Sequence, residues 1–326
     1  MNIMRKKIVS AIILAVILAT GFIWNELSEE KTSAAKSLQP QTNTKFTKAE
    51  EPSVIEDLPK IEIPTIEIPP VENPTQSEKF ITANEDFSNL QLYEYNKPVY
   101  DSYGFWQRQE SGIATTIPDL QPFYGEHIVY LTFDDGPDNK NTPQILDILR
   151  DENVPATFYV LGAMVEANPD VLKRIFNEGH AIGNHSYNHN YKELYNSPWD
   201  FIAQFQRTDE IIMEQIGVRP LIIRAPGGTY GAFNADYWDM VKSSGYIEHD
   251  WNVSSGDATP KGATAYEEIT NITDQINTYN FKSAIVLMHS TSAKDETVKA
   301  LPDIIHFFKD RGYTFGVITP MTPQPW

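Results

Sequence analysis

From His127 onward, short apolar runs alternate with amphipathic segments, and this alternation is the strongest pattern in the 326-residue chain. The runs "HIVYLTF", "ATFYVLG", "AIGNH", "LIIRA", "IEHDWNV", "AIVLMH" and "YTFGVI" are rich in β-branched and aromatic residues and predict seven strands. Between them, "TPQILDILRDEN", "PDVLKRIFNEG", "DFIAQFQRTDEIIMEQIG" and "LPDIIHFFKDRG" carry helical spacing of apolar positions. Three of these helices close on Gly179, Gly217 and Gly312, where a left-handed residue ends a helix at little steric cost. Repeated strand-helix alternation predicts an α/β fold of parallel strands with crossover helices, either a barrel or an open sheet. In both, chemistry collects at the C-terminal ends of the strands.

The chain before His127 has a different character. Arg5, Lys6 and Lys7 precede an uncharged, largely apolar run from Ile8 to Trp24, which reads as an export signal. Its length lies between a cleavable signal core and a membrane-spanning helix. Trp24 at one end and the basic cluster at the other favour an anchor over residues 1–24, with the N-terminus in the cytoplasm. Cleavage near Ala34 and Ala35 is the alternative. Residues 25–79 are polar and Pro-rich, with the imperfect repeat "IEIPTIEIPP", and predict a disordered linker that cannot bury enough apolar surface to offset its ordering entropy. Residues 80–125 hold many aromatics without clear periodicity; they are expected to pack on the domain at residues 126–320.

Composition narrows the chemistry. A formal net charge of -18 argues against nucleic acid or an anionic membrane surface as a partner. There is no cysteine, which excludes disulfides, thiolate metal sites and thiol nucleophiles, so any metal must be held by His, Asp or Glu. Five predicted strand ends carry such groups or their neighbours: Asp134 and Asp135 after "IVYLTF", His185 after "AIGN", Arg224 after "LII", Asp250 and Asp257 in and after "IEHDWNV", and His289 after "AIVLM". In "HSYNH", His185 and His189 stand four apart, a spacing that on a helical turn puts both imidazoles on one face. With one of the two aspartates they form a ligand set for a catalytic divalent metal, zinc foremost, with cobalt, nickel or iron as competitors. The other aspartate stays free to take a proton from water.

The segments "TFDDG", "HSYNH", "RAPGG", "WNVSSGD" and "LMH", in this order, resemble the five motifs of NodB-type polysaccharide deacetylases, carbohydrate esterase family 4. The resemblance implies a distorted (β/α) barrel of about seven parallel strands. It implies Asp134 as general base, Asp135 with His185 and His189 as metal ligands, Arg224 as the cation that holds Asp134 ionised, and His289 as general acid paired with Asp257. The N–H of Gly227 is then the donor to the tetrahedral oxyanion, and no covalent intermediate is expected. Two departures from the family pattern bear on substrate preference. Asp257 is followed by Ala258 where Trp is common, which leaves one wall of the cleft missing or supplied by Trp251. "RAPGG" puts Gly227 where many members carry an aromatic.

The substrate expected is an acetylated glycan polymer outside the cytoplasm, peptidoglycan first, with chitin, poly-N-acetylglucosamine or xylan as alternatives and a catalytically retired glycan-binding wall protein as the non-enzymatic one. The chain is expected to act as a monomer, anchored to the membrane or secreted into the wall. Tyr230 and Trp251 are candidates for stacking on sugar rings, although core packing is the commoner fate of such aromatics. His180 reads as a structural hydrogen bonder, and His127, His249 and His306 show no partner pattern. For Asp250 the readings are support of the site from behind and a solvated loop.

Overall fold

The computed structural model describes residues 79–91 and 94–325; the predicted anchor and, apart from Lys79, the predicted linker lie outside them. Among the described residues no helix is long and apolar enough to cross a membrane. In chain order, β1 (Ile81–Thr82), β2 (Val99–Asp101) and α1 (Phe105–Glu110) come first. The alternation then begins with β3 (Ile128–Asp134), α2 (Asn141–Asp151), β4 (Thr157–Val160), α3 (Gly162–Ala167), α4 (Pro169–Asn177) and β5 (Ala181–Asn184). It continues with α5 (Tyr191–Leu194), α6 (Pro198–Ile216), β6 (Arg219–Pro220), β7 (Ile222–Ile223), α7 (Ala235–Ser243), β8 (Ile247–Glu248) and β9 (Val253–Ser254). Last come α8 (Ala265–Tyr279), β10 (Ser283–His289), α9 (Asp295–Asp310) and β11 (Thr314–Gly316).

All seven predicted segments carry strand, and the fifth, "IEHDWNV", is divided into β8 and β9. The main sheet is parallel throughout and runs β8-β7-β5-β4-β3-β10-β9. One edge of β3 is shared, with β11 on its first half and β4 on its second. β8 and β9 are consecutive in the chain yet stand at opposite ends of this order, so residues 249–252 cross the seam between them. Among the described residues no ladder pairs β8 with β9. The result is an open, distorted (β/α) barrel.

Alternation along the strands sorts the core into two clusters. On β3, Val129, Leu131 and Phe133 join Phe158, Ile182, Val286 and Met288 and the apolar faces of α2, α4 and α9 in an outer layer. Ile128 and Tyr130 join Tyr159, Ile222, Ile285 and Ile318 in a separate cluster inside the barrel. Thr132 and Asp134 continue this inner row toward the strand's C-terminal end, so strand period alone aims Asp134 into the mouth. Gly183 lies on the same face; a β-carbon there would collide with the Tyr159 ring, so glycine is what lets that ring fill the interior.

Helix ends follow local chemistry. Gly217 caps α6 with φ 78, and Gly179 and Gly312 adopt the left-handed conformation just past α4 and α9. α9 starts at Asp295, earlier than its apolar spacing suggests, and carries Pro302 within it. α7 and α8, opened by the side chains of Asn234 and Thr264, were not legible as apolar stripes.

Residues 80–125 contribute β1 and β2 to a small sheet completed by antiparallel β6. Phe80 and Tyr100 enter the outer core cluster, and the Tyr100 hydroxyl bonds both the carbonyl of His180 and the N–H of Ile182. Beneath this sheet the Asp101 carboxylate accepts from Arg108 Nε at 2.6 Å and Arg219 Nη2 at 2.9 Å, with all three side chains fully buried. Removing one partner of such a cluster strands buried charge, at a cost of about 3–5 kcal/mol. Asp101→Ala should therefore lower the unfolding free energy by roughly that amount in urea denaturation; a variant that unfolds at the wild-type midpoint would show that the network carries no stability.

Candidate active site

Strand register assembles the rim. His289 is the register partner of Asp134, Asp134 of Tyr159, Val160 of Asn184 and Asn184 of Ile223. The residues that follow two of these ends, His185 and Arg224, therefore emerge on the same rim. Asp135 leaves the strand geometry with φ 70, which turns its carboxylate toward the mouth instead of the opposite face. Gly136 then passes so close to Ser290 that a β-carbon would collide with the serine hydroxyl.

Asp135 Oδ1 lies 3.5 Å from His185 Nε2 and 3.6 Å from His189 Nε2. Two donors bound to one tetrahedral zinc at about 2.0–2.2 Å are separated by roughly 3.3–3.6 Å, so these spacings suit a shared cation. Three further observations support the fit. One donor atom from each of Asp135, His185 and His189 falls within 4.8 Å of the others. Asp135 Oδ1 is buried without a hydrogen-bond partner, an arrangement costly for a carboxylate unless a cation meets it. His185 Nδ1 lies 2.7 Å from the carbonyl of Arg224, which fixes the proton on Nδ1 and leaves the Nε2 lone pair free. Burial lowers the His185 pKa to about 3, so the ring is neutral as a ligand must be. The two histidines do not share a helical turn, as their spacing suggested. They sit in an irregular loop after β5 in which Ser186 and His189 adopt positive φ, and the rings approach to 5.2 Å.

Asp134 faces the same space, with Oδ2 3.7 Å from His185 Nε2 and Oδ1 accepting from Arg224 Nη1 at 2.9 Å. Burial raises its pKa, and the opposing pull of Arg224 and His289 does not reverse the shift. The expected contact of Arg224 with Asp134 is present, and its guanidinium limits the rise. A carboxylate pushed upward in this way is a stronger base.

The opposite wall holds His289, whose Nδ1 meets Asp257 Oδ1 at 2.9 Å while its backbone N–H donates to Asp257 Oδ2 at 2.8 Å. Burial works against the imidazolium, but the Asp257 carboxylate, with Asp135 and Asp134 beyond it, overrides it and raises the pKa to about 9. Asp257 is correspondingly lowered: burial pushes it up, but His289 and Lys294 together outweigh that. With Nδ1 engaged, Nε2 points across the mouth, 4.0 Å from Asp135 Oδ2.

The remaining candidates divide. Gly227 is exposed with φ 78, and its N–H has no hydrogen-bond partner among the described residues. Trp251 is half-buried, packed against the inner cluster and 5.7 Å from the Arg224 guanidinium. Tyr230 is 53% exposed. Asp250 is buried and accepts from the Thr229 N–H and hydroxyl, which makes it a brace for the Gly227–Gly228 turn and excludes a solvated position. His180 is a buried acceptor for the Ala156 N–H. Sequence patterns missed Thr132, which accepts from Arg224 at 2.7 Å, and Glu248, buried beside Asp250 and pushed well up by burial and that neighbour. They also missed Tyr191, beside His189; its place two residues after the second histidine was the only signal.

A family model described as polysaccharide deacetylase matches residues 124–248, the segment that holds Asp134, Asp135, His185, His189 and Arg224. The chain is 36% identical over 200 residues to a peptidoglycan-N-acetylglucosamine deacetylase of Bacillus cereus, covering 61% of this chain and 69% of that protein. A carbohydrate esterase family 4 esterase of Streptococcus mutans is similar in structure, with TM-score 0.56 and 33% identity, covering 60% of this chain and 87% of the other. The catalytic domain of a peptidoglycan N-acetylglucosamine deacetylase from Eubacterium rectale gives TM-score 0.55 and 32% identity, over 66% of this chain and 96% of that one. With motifs, barrel and rim in agreement with these relatives, the chain belongs to the polysaccharide deacetylase family, carbohydrate esterase family 4, and is an enzyme of that class.

Proposed function

We propose that this enzyme hydrolyses N-acetyl groups of N-acetylglucosamine in peptidoglycan, outside the cytoplasm, with zinc as its metal. The observation that carries this reading is the convergence on one rim of an Asp-His-His cluster, a buried carboxylate held by an arginine and a histidine held by an aspartate. Two of the relatives are named for peptidoglycan N-acetylglucosamine. An anchor over residues 1–24 and a Pro-rich linker over residues 25–79 would keep the barrel at the membrane and within reach of wall glycan.

Asp135, His185 and His189 hold the metal, which when bound polarises the acetyl carbonyl and lowers the pKa of water. Asp134 takes the proton of the attacking water, aided by its raised affinity for it. The free N–H of Gly227 donates to the oxyanion of the tetrahedral species. His289, protonated near neutrality, gives its Nε2 proton to the leaving amine, and Asp257 stabilises the imidazolium until transfer. Arg224 and Asp250 keep Asp134 and the Gly227 turn in place.

The full-length protein should release acetate from purified peptidoglycan, stop on chelation and recover on adding zinc; no release from any acetylated glycan would refute the reading. The pH profile tests the acid separately. Activity should persist while His289 keeps its proton and fall as pH rises through about 9. Asp257→Asn removes the largest of the influences that raise this pKa, leaving burial opposed only by the more distant Asp135 and Asp134, so the alkaline limb of kcat/KM should move to lower pH. An unmoved limb would exclude His289 as the group that titrates there.

A further inference from the structure

This inference deepens the deacetylase reading and rests on it. Gly227 lacks the side chain that would wall the cleft beside the oxyanion donor, yet the space is filled. A β-carbon at Gly227 would lie 2.7 Å from the Tyr191 hydroxyl oxygen and 3.0 Å from its ring, and φ 78 disfavours a side chain there in any case. Tyr191 opens α5 directly after the loop that carries His189, and its ring meets the His189 imidazole nearly perpendicular at 5.2 Å. It is 38% exposed. Its hydroxyl has no hydrogen-bond partner among the described residues.

The position is held by its neighbours. Tyr195, 5.9 Å from Tyr191 between ring centroids, donates its hydroxyl to the carbonyl of Pro226 at 2.7 Å, tying this loop to the backbone that presents Gly227. Asn190 caps the turn that starts at Tyr191 by accepting from the Lys192 N–H. A tyrosine fixed between a metal-ligand candidate and an unpartnered backbone donor, with a free hydroxyl at its tip, is placed to bind what both of them face.

We infer that Tyr191 is a further catalytic residue: its hydroxyl donates to the acetamido oxygen of a bound N-acetylhexosamine beside the Gly227 N–H, while its ring forms the wall that Gly227 leaves open. A neutral phenol is a donor across the working pH range. The donor is needed most when that oxygen gains charge, so its loss should appear in kcat.

The test uses the full-length, zinc-loaded protein and a tetramer of N-acetylglucosamine, comparing wild type, Tyr191→Phe and Tyr191→Ala, with bound zinc measured in each. Tyr191→Phe should keep zinc and KM and lose kcat by about tenfold, the equivalent of one hydrogen bond. Tyr191→Ala should lose kcat similarly and also raise KM, because the wall is gone. A Tyr191→Phe variant with wild-type kcat, or one whose zinc content falls in step with its activity, overturns the role. A wild type inactive on this tetramer and on purified peptidoglycan alike would instead refute the deacetylase reading, and this inference with it.

Discussion

One buried guanidinium organises the mouth of this barrel. Arg224 is fully buried, and it donates to Asp134 and Thr132 on β3 and to the carbonyls of His249 and Asp250 on the seam between β8 and β9. Its own carbonyl meets His185 Nδ1. A single residue at the end of β7 thereby fixes the base candidate, the tautomer of a metal-ligand candidate and the crossing of the open seam. The Tyr159 ring, 4.2 Å beneath it, supplies a π face where water is excluded. A charge in this position is stable only while all of these acceptors stay in place, which makes the rim cooperative.

Around that centre the two proton-transfer candidates are tuned by different means. Asp134 is raised by burial with Arg224 restraining the shift, whereas His289 is raised by Asp257 against its burial. The first is thereby a more basic carboxylate that accepts a proton, and the second an imidazolium that donates one. The Glu248 and Asp250 carboxyls lie behind the third-motif turn, both raised by burial, and hold Ala225 and Thr229 through hydrogen bonds to the backbone. Their role in this picture is to make the Gly227 N–H a fixed donor.

Much of this was legible from residue order because strand period and strand ends are local properties. The inner row of β3 follows from alternation alone, and the chemistry at the ends of "IVYLTF", "LII" and "AIVLM" follows from the rule for parallel sheets. What escaped was set by tertiary contacts. The break of "IEHDWNV" into two strands falls where Arg224 donates to the His249 and Asp250 carbonyls, a partner distant in sequence. The His185–His189 loop reads as a helical turn by spacing, but its positive φ values at Ser186 and His189 are imposed by contacts that spacing does not encode. Tyr191 was silent because its partner is an absence, the missing side chain at Gly227.

The central claim is a division of labour between adjacent aspartates: Asp135 binds the cation and Asp134 moves the proton. Zinc content and acetate release measured together in Asp134→Asn and Asp135→Asn test it most directly. The account predicts that Asp135→Asn loses zinc and activity together, while Asp134→Asn keeps zinc and loses activity by orders of magnitude. Zinc retained in Asp135→Asn, or lost equally in both variants, would contradict it.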